Sequence, residues 1–543
     1  SGDGSLRQAI SNANAFAGDD TITFNVNNAT ILLSSEINLT SNMTIDGSGN
    51  SITLSGGNTT RIFNLTGSPT VALIDLTFTS GHPSSGNGGA ILASATSTLN
   101  VTDSTFTSNI AAQGGGIYTT GSLTVTGSSF SGNNATGATG SAIRAHTGAP
   151  SPTITDSTFT NNASGAYAVW FNLVTGTASI SNSVFSGNGG GFGGSGTINF
   201  TNNTFTNNNS SVGGGALYLG SGTHTFTNNT ISGNHSNNSN AAGGIYSIGN
   251  STDGNANVIL RNTILANNTH SAAPDCRSGT LSSITVNDSL IEDPTNCVFT
   301  GSNNITLQDP NLGAFTGVYL PLNPDSPAID AANAANCPTT DQRGESRTAD
   351  LACDMGAYEM QYADSDTVSR PASASALTTF GPTLVGIQNN GGDDPGVITV
   401  LKSFTWNTQP DNTIDGYWTI TPSSGSTYNL TLQLCYAPGE LPAGLNEADL
   451  RFWRYSGGVW SQVGPASLTW TSVNSNRCAS VSGITGFSSW TLGGSDAPTA
   501  LTLTAFSATS VPGAWEGWVI ALLLILGGTY LWLRRTGLIT KTK

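Results

Sequence analysis

The first half of the chain repeats one pattern of apolar and polar positions: a Phe or Ile, two small polar residues, and then Asn. The apolar residues of this pattern, including Ile264 in a final variant, lie 24, 29, 26, 20, 26 and 33 residues apart. Such spacing is typical of stacked units that are each too small to bury an apolar face alone. The repeated pairs are Phe106 and Asn109, Phe130 and Asn133, Phe159 and Asn162, Phe185 and Asn188, Phe205 and Asn208, and Ile231 and Asn234.

Each unit also contains short runs in which apolar residues alternate with Thr, Ser or Asn, as in Ser97–Thr102 and Thr197–Thr201. Alternation of this kind predicts strands with one buried face, and no helical pattern separates them. We therefore predict an all-β fold in which residues 1–360 form a right-handed parallel β-helix. The repeated Phe residues would stack inside, and each Asn would bond through its amide to the Asn of the next coil. A disordered Ser/Thr/Asn-rich stalk is the alternative, but disorder would not keep the apolar residues in register.

A second motif, paired Gly before an apolar residue, accompanies the first and allows a tight corner into a strand. It occurs at Gly88–Ile91, Gly114–Ile117, Gly214–Leu217 and Gly243–Tyr246. Over residues 75–270 the two motifs together resemble the FxxN and GGA[ILV] repeats of the polymorphic outer-membrane proteins. In the chlamydial members these repeats belong to surface adhesins with a β-helical passenger, so the resemblance implies a β-helix with an adhesive role. The chain lacks the C-terminal β-barrel of that family, which implies a different mode of display.

Both ends of the predicted solenoid carry their own signals. Ser5 and Gln8 form a possible capping box, and Leu6, Ile10 and Ala13 follow at helical spacing, which predicts an amphipathic helix over the first coil. This segment is similar to the SLREA segment that opens many secreted bacterial β-helix proteins, with Gln8 in place of Glu. The stretch Ser326–Glu359 resembles the closing segment of the same group. We interpret its Asp341, Arg343 and Glu359 as a structural hydrogen-bond knot rather than a catalytic set.

Charge and cysteine content narrow the possible partners. The chain of 543 residues has a formal net charge of −16 and no basic patch, which argues against a nucleic-acid partner.

The cysteines form three sequence-close pairs, and pairing of neighbours as disulfides is the simplest of fifteen connectivities. No cofactor or metal site is predicted; Asp46–Asn50 could bind structural calcium, although a plain turn is favoured. The pairs are Cys276 and Cys297, Cys337 and Cys353, and Cys435 and Cys478.

A change of composition near residue 361 predicts a second domain. Residues 361–379 are interpreted as a linker, and strand-like runs rich in Trp and Tyr then predict a β-sandwich over residues 380–493. Cys435 and Cys478 could bridge its two sheets. The aromatic residues could form a carbohydrate platform, but we favour a place in the core.

The C-terminal region predicts a membrane anchor. After a linker at 494–513, residues 514–533 form an apolar segment, in which Trp518–Leu533 is uncharged and Glu516 would lie at the outer interface. Twenty helical residues span about 30 Å, the thickness of a bilayer core. Arg534 and Arg535 begin a basic tail, 534–543, which the positive-inside rule places in the cytoplasm. A bacterial sorting tail, in which a protease removes the helix, is the alternative.

These elements lead us to predict a membrane-anchored cell-surface protein, an adhesin or a structural surface component. Its partners would be polysaccharide, a neighbouring cell surface or copies of itself, each bound weakly and repeatedly. The alternative is an extracellular polysaccharide lyase or glycosidase. Acidic residues in the coils, such as Asp103 and Asp156, are replaced by Asn182 and Asn202 at the same position, which is typical of turn residues rather than a catalytic pair. We therefore expect that the protein is not an enzyme.

Overall fold

The computed structural model of the protein describes residues 2–494, with gaps at 3, 17, 138, 164–166, 324–325, 348–352, 361–366, 372–376, 381–382, 404–412, 415–416, 437–439, 442–444, 457–458, 466–467 and 474–475. Within this part the first 310 residues form a parallel β-helix, as the repeats predict. Each complete coil contributes one short strand to each of three sheets, and neighbouring strands pair parallel and in register.

The strands of the solenoid are as follows. Sheet 1 consists of Asp20–Thr23, Met43–Asp46, Thr70–Ile74, Thr98–Thr102, Ser122–Thr126, Thr153–Thr155, Thr177–Ser181, Thr197–Thr201, Gly222–Thr227, Ala256–Arg261 and Ser282–Asn287. Sheet 2 consists of Ala29–Leu32, Ile52–Ser55, Leu76–Thr79, Thr105–Thr107, Ser129–Ser131, Thr158–Thr160, Val184–Ser186, Thr204–Thr206, Thr230–Ser232, Ile264–Ala266, Leu290–Ile291 and Ile305–Thr306. Sheet 3 consists of Ile37–Leu39, Phe63–Leu65, Ile91–Ala93, Ile117–Thr119, Ile143–Ala145, Val169–Phe171, Phe192–Gly194, Leu217–Leu219, Ile245–Ser247 and Cys276–Ser278. Two further pairs link coils between sheets 2 and 3: Ile110–Ala111 with Asn134–Ala135, and Asn209–Ser210 with His235–Ser236.

The interior is a column of like residues because in-register pairing places each apolar side chain on the equivalent one of the next coil. The rings of the repeated Phe residues stack face to face, with centroids 4.6 to 5.0 Å apart. Ile231 pairs with Phe205 and continues this position in the next coil. The stack comprises Phe78, Phe106, Phe130, Phe159, Phe185 and Phe205, and all six side chains are fully buried.

The repeated Asn residues form a buried ladder at the turn that follows sheet 2. Asn188 shows the arrangement: its Oδ1 accepts hydrogen bonds from the main-chain N–H (3.0 Å) and from Nδ2 (2.9 Å) of Asn162. Its own Nδ2 donates to the Phe159 carbonyl and to Oδ1 of Asn208, both at 2.9 Å. Every polar atom of the side chain is thereby paired, which removes the cost of burying an amide. The ladder runs through Asn109, Asn133, Asn162, Asn188, Asn208, Asn234 and Asn268.

A second ladder, which the sequence analysis missed, stabilises the turn between sheets 1 and 2. Hydroxyl or amide oxygens accept the main-chain N–H of the preceding coil, as Ser128 does from Ser104 at 3.1 Å. The residue before each member has a positive φ, for example 48° at Asp103 and 51° at Asn182. Asp and Asn tolerate this conformation, which explains why the two alternate there. The ladder includes Ser104, Ser128, Ser157, Ser183, Asn203 and Asn229.

The N-terminal end of the solenoid is covered by the helix Leu6–Ala15. Ser5 Oγ accepts the Gln8 N–H at 3.3 Å, and Leu6, Ile10 and Ala13 are buried against the core. The side chain of the capping Ser5 and the apolar spacing thus act as the sequence indicates.

At the far end, residues 310–360 fold back over the outer face of sheet 2. Gln342 accepts a hydrogen bond from Thr204 (2.6 Å), and Thr230 accepts one from the Ala357 N–H (2.9 Å). Asp341 and Arg343 form an ion pair, while Glu359 pairs with the buried Arg347, a residue that the sequence analysis did not single out. This stretch contains one 3₁₀ turn, Ala334–Asn336.

Two antiparallel sheets follow, and they share one apolar core. The first contains Thr367–Pro371, Val397–Ser403, Tyr417–Pro422, Leu450–Ser456, Val459–Val463 and Ser489–Gly494. The second contains Thr378–Thr379, Val385–Gly392, Tyr428–Tyr436, Trp470–Val473 and Asn476–Ile484. A 3₁₀ turn spans Glu447–Asp449. Two of these strands, Thr367–Pro371 and Thr378–Thr379, lie within the range interpreted as a linker. Trp418 and Trp490 are fully buried in the shared core.

The three predicted disulfides are confirmed: Cys276–Cys297, Cys337–Cys353 and Cys435–Cys478. The proposed role of the last one was wrong. Cys435 and Cys478 lie directly opposite each other on neighbouring strands of the same sheet, so the bond joins two strands and does not bridge two sheets.

The predicted anchor at 514–533, with Trp518 and Leu533, and the tail with Arg534 and Arg535 lie outside the described residues. Within the described part of the chain, no helix has the length and apolar character needed to cross a membrane. We therefore withdraw the predicted localisation, a cell-surface protein held by a single-pass anchor with a cytoplasmic C-terminus.

We predict that Asn188→Ala lowers the free energy of unfolding by about 3 kcal/mol or more, because it leaves several buried donors and acceptors of the neighbouring coils unpaired. Urea unfolding followed by circular dichroism measures the change. Asn100→Ala is the matched control, since Asn100 lies on the outer face of sheet 1. Equal effects of the two substitutions would contradict the role of the ladder.

The last amide of the ladder generates a prediction about pH. Asn268 Nδ2 donates to Oδ1 of the buried Asp275 at 2.9 Å, and burial raises the pKa of Asp275 from 3.8 to about 7. The folded state then binds more protons than the unfolded state between these values, so this group makes stability fall as the pH rises from 3.8 to about 7. We expect a smaller slope of stability against pH in Asp275→Asn, measured by urea unfolding from pH 4 to pH 8. Asp103→Asn, at an exposed turn, is the control, and an unchanged slope in Asp275→Asn would refute the assignment.

Candidate aromatic and cationic site on sheet 3

The outer face of sheet 3 carries an unusual row of side chains. Its strands are three residues long, and in most of them the outer two residues are buried while the middle residue points outward. In-register pairing places the middle residues of successive coils side by side. We call five of them the sheet 3 column: Tyr118, Arg144, Trp170, Tyr218 and Tyr246. At about 4.8 Å per strand, the column extends roughly 24 Å along the solenoid.

The aromatic members form a nearly continuous surface. The rings of Trp170 and Tyr218 stack with centroids 5.7 Å apart and an interplanar angle of 20°, and Tyr246 follows with a centroid 6.0 Å from that of Tyr218. Gly193 occupies the coil between Trp170 and Tyr218. A Cβ atom there would lie 2.5 Å from Cε3 of Trp170, so only glycine allows the indole ring to lie across this coil.

A buried tyrosine supports this surface from below. Tyr167 is 1% exposed, and its ring centroid lies 5.6 Å from that of Trp170 and 6.2 Å from that of Tyr218. Its hydroxyl donates to the Gly214 carbonyl at 3.0 Å, which fixes the ring. The Trp170 and Tyr218 rings are therefore held in place before any ligand arrives.

Arg144 is the exceptional member of the column. It is 6% exposed, and its Cζ lies 5.8 Å from the centroid of the Trp170 ring. Its Nε and Nη1, and also Nε1 of Trp170, are buried without a hydrogen-bond partner. Arg144 forms no ion pair with any acidic side chain that the structure describes. Burial lowers the pKa of Arg144, which expresses the cost of holding an uncompensated cation there.

Two titratable side chains lie beside Arg144. Tyr118 pairs with Arg144 across the sheet, and its ring centroid lies 5.8 Å from that of His146. Burial, and then the nearby Arg144 charge, lower the pKa of His146, so its imidazole is neutral at pH 7. Burial raises the pKa of Tyr118, so its phenol keeps its proton. The site thus combines a cation, a neutral base and a neutral acid.

This arrangement suits a ligand with flat apolar faces, hydroxyls and carboxylates. Trp and Tyr present a rigid apolar surface with a polar tip. A guanidinium with free N–H groups binds carboxylates through charge-assisted hydrogen bonds. Partial burial strengthens such bonds because water competes less.

The residues that the sequence analysis singled out lie elsewhere. The Phe/Asn repeats form the core stack and the buried ladder, and the disulfides close the later coils and one sheet of the C-terminal domain. The column itself was missed, although a signal exists: Tyr118 and Tyr218 come directly after the paired-Gly motifs Gly114–Ile117 and Gly214–Leu217. The outward position is the one directly after Ile117, Leu217 or Ile245, so the residue type at that position shows what the surface of sheet 3 presents.

The calcium candidate Asp46–Asn50 forms a turn in which Asp46 Oδ1 accepts the Ser48 N–H at 2.8 Å. A polar cleft of about 350 Å³ lies beside it and contains one carboxylate, that of Asp75. Among the residues that the structure describes, no group of three or more His, Cys, Asp or Glu side chains is arranged to hold a metal ion.

Comparison with known proteins supports the fold. Residues 141–311 match the family model described as "Right handed beta helix region", so this part of the solenoid is a right-handed β-helix. No curated protein matches the chain. The matching model describes the β-helix and not the polymorphic outer-membrane proteins.

Solved structures that resemble the chain include an alginate lyase and two phage tailspike proteins. A PL6 alginate lyase in complex with a trisaccharide shares 12% identity, covering 63% of this chain and 92% of the lyase, with a TM-score of 0.39. The tailspike protein of Acinetobacter phage vB_ApiP_P1 shares 12% identity over 90% of this chain and 82% of its own, with a TM-score of 0.28. Tailspike gp49 of Acinetobacter baumannii bacteriophage Fri1, a capsular polysaccharide depolymerase, shares 10% identity over 90% and 81%, with a TM-score of 0.24.

Likeness at this level reports the fold and assigns no activity to this chain. It nevertheless corrects the expectation that the protein is not an enzyme, since alginate lyases and a capsular polysaccharide depolymerase are among the proteins that resemble it. The tailspikes likewise add no support for an anchored adhesin.

We predict that Gly193→Ala displaces the Trp170 ring, because the added methyl group would overlap it. Trp170 should then react faster with N-bromosuccinimide, as measured by mass spectrometry of the peptide that contains it. Ala72→Val, on the outer face of sheet 1, adds bulk to the same kind of strand and is the control. An unchanged reaction rate in Gly193→Ala would contradict the described packing.

Proposed function

We propose that this protein binds acidic polysaccharide chains along the sheet 3 column. The observation that carries the proposal is Arg144, a buried guanidinium with two unpaired nitrogens, Nε and Nη1, and no acidic partner among the described residues. An unpaired buried cation is costly, and a ligand carboxylate would compensate it. The cost is therefore explained if a carboxylate completes the site.

The aromatic members of the column indicate the shape of the ligand beyond its carboxylate. The rings of Trp170, Tyr218 and Tyr246 follow one another along the axis of the solenoid, and such a row suits an extended chain of sugar rings lying parallel to that axis. Each ring would contribute a modest stacking energy, and a chain that contacts several of them binds with their combined strength.

The charge distribution favours a polysaccharide over a nucleic acid as the ligand. Arg144 lies within the column and Arg277 follows Tyr246 in the same row, while the whole chain carries a net charge of −16. Nucleic-acid binding requires several cations along the phosphate backbone. Two cations at separate positions in a row of aromatic rings instead fit a polymer with occasional carboxylates among its sugars, such as a uronic-acid polysaccharide.

The disulfides are consistent with a protein that meets polysaccharides outside the cytosol. Three disulfides form in the described part of the chain, and such bonds persist in oxidising surroundings outside the cytosol. Acidic polysaccharides of cell walls, capsules and matrices occur in the same surroundings.

We expect Arg144→Gln to weaken binding to polygalacturonate, alginate or hyaluronan by about 10- to 100-fold, since a hydrogen bond to a charged group contributes about 1.5–3 kcal/mol. Trp170→Ala should weaken it by about tenfold through lost stacking. Affinity electrophoresis or isothermal titration with each polymer measures the change.

Arg261→Gln is the matched control, because Arg261 lies on sheet 1 and should leave binding unchanged. Dextran, a neutral polymer, should not distinguish wild type from Arg144→Gln. Absence of binding to every acidic polymer, or equal losses in Arg144→Gln and Arg261→Gln, would refute the proposed function.

A further inference from the structure

We propose that the sheet 3 column also cleaves its ligand, by β-elimination at a uronate residue, with Arg144, His146 and Tyr118 as the reacting groups. This inference rests on the proposed function, because it requires that an acidic polysaccharide occupies the column. It adds a reaction to the binding role and assigns each of the three side chains a separate part in it.

The three side chains come together through the register of sheet 3. Arg144 and His146 are two residues apart along one extended stretch, so they lie on the same outward side. Tyr118 is paired with Arg144 in the preceding coil, and its ring is a neighbour of the His146 ring. The His146 N–H donates to the Thr119 carbonyl at 2.8 Å, which fixes the histidine main chain against the strand of Tyr118.

Arg144 would neutralise the carboxylate of the bound uronate. A uronate carboxylate makes the proton on the adjacent ring carbon hard to remove, because removal builds further negative charge on that group. A partly buried guanidinium stabilises this charge as it develops, in surroundings where the interaction is strong. The unpaired Nε and Nη1 of Arg144 supply the donors that such a role requires.

His146 is suited to take the proton. Burial and the Arg144 charge lower the pKa of its imidazole, so the ring is neutral and able to accept a proton at pH 7. Tyr118 and Arg144 are the charged or titratable groups that act on it among the described residues. Tyr118 is protonated at this pH and suited to act as the acid.

The step balances without any further reagent. His146 removes the proton from the carbon next to the carboxylate, and that electron pair forms a carbon–carbon double bond within the ring. The glycosidic bond from the neighbouring ring carbon to its oxygen breaks, and the Tyr118 hydroxyl gives its proton to the leaving oxygen. No water is consumed. Histidinium and phenolate then exchange a proton, directly or through solvent, to restore the starting state.

The composition of the site favours elimination over hydrolysis. Hydrolysis of a glycosidic bond uses a pair of carboxyl groups at defined separation. The neighbours that shift the pKa values of Tyr118, Arg144 and His146 are these residues themselves and Asn87, with no acidic side chain of the described residues among them. Elimination uses a cation, a base and an acid, and the column holds one of each.

The experiment incubates the full chain with polygalacturonate, alginate and hyaluronan in parallel. It records the ultraviolet absorbance of the conjugated unsaturated product, new reducing ends, and binding to the same polymer. Wild type should bind and generate the absorbing product from at least one polymer. His146→Gln and Tyr118→Phe should each slow the reaction by about 10²- to 10⁴-fold while binding is retained, the usual range for loss of a general base or acid.

Two comparisons keep the test decisive. His235→Gln is the matched control, because His235 bonds to Thr269 and Asn237 outside the column and should leave the rate unchanged. Circular dichroism of each variant shows that it is folded. Arg144→Gln should lose both binding and product.

The outcomes separate the two proposals. Binding without any cleavage would overturn the elimination reaction and leave the proposed function standing, whereas no binding at all would overturn the proposed function itself. New reducing ends without the absorbing product would mean hydrolysis and would also overturn the inference. A folded His146→Gln variant with the wild-type rate would show that His146 takes no part in the reaction.

Discussion

The structure depends on one constraint: a buried side-chain amide must have all of its hydrogen bonds. In the Asn ladder, each amide meets this requirement only when the next coil presents its own Asn at the same height. A shift of one residue in any coil would leave donors and acceptors unpaired in two coils at once. The ladder therefore fixes the register of the coils from Asn109 to Asn268, although these coils differ in length.

Fixed register determines the outside of the molecule as well as the inside. Once the interior columns of Phe, Leu and Ile are aligned, the outward residues are aligned with them, whatever their type. Sheet 1 uses this alignment for rows of Thr, Ser and Asn, and the later coils of sheet 2 are covered by the closing segment. Sheet 3 uses it to bring aromatic rings and the guanidinium groups of Arg144 and Arg277 into a single row. The fold requires this alignment for its buried residues. It does not determine which residue types occupy the outward positions.

Arg144 is a residue of this surface whose burial lowers the stability of the folded protein. The other buried arginines of the solenoid and its cap, Arg61 and Arg347, each have an ion pair and carbonyl partners. Arg144 has aromatic neighbours and unpaired N–H groups instead. A group that costs stability and has no structural partner among the described residues supports the proposed role in binding. Supporting features such as Gly193 and Tyr167 hold the rings beside it in place.

The sequence by itself determined the β-helix, the Phe stack, the Asn contacts, the capping helix and the disulfide partners. The β-helix, the Phe stack and the Asn contacts follow from the repeat, because equivalent positions of successive repeats are in contact in a solenoid. The capping helix and the disulfide partners follow from local signals: the Ser5 cap with helical spacing, and the closeness of each cysteine pair in the sequence. The tertiary structure alone decided which outward residues share a row, because coils of 20 to 33 residues make counting along the chain unreliable. It also decided contacts with no periodic signal, such as that of Arg347 with Asn202, 145 residues away. The candidate site belongs to this second group: side chains from five coils meet on sheet 3, and only the register of the buried ladder brings them together.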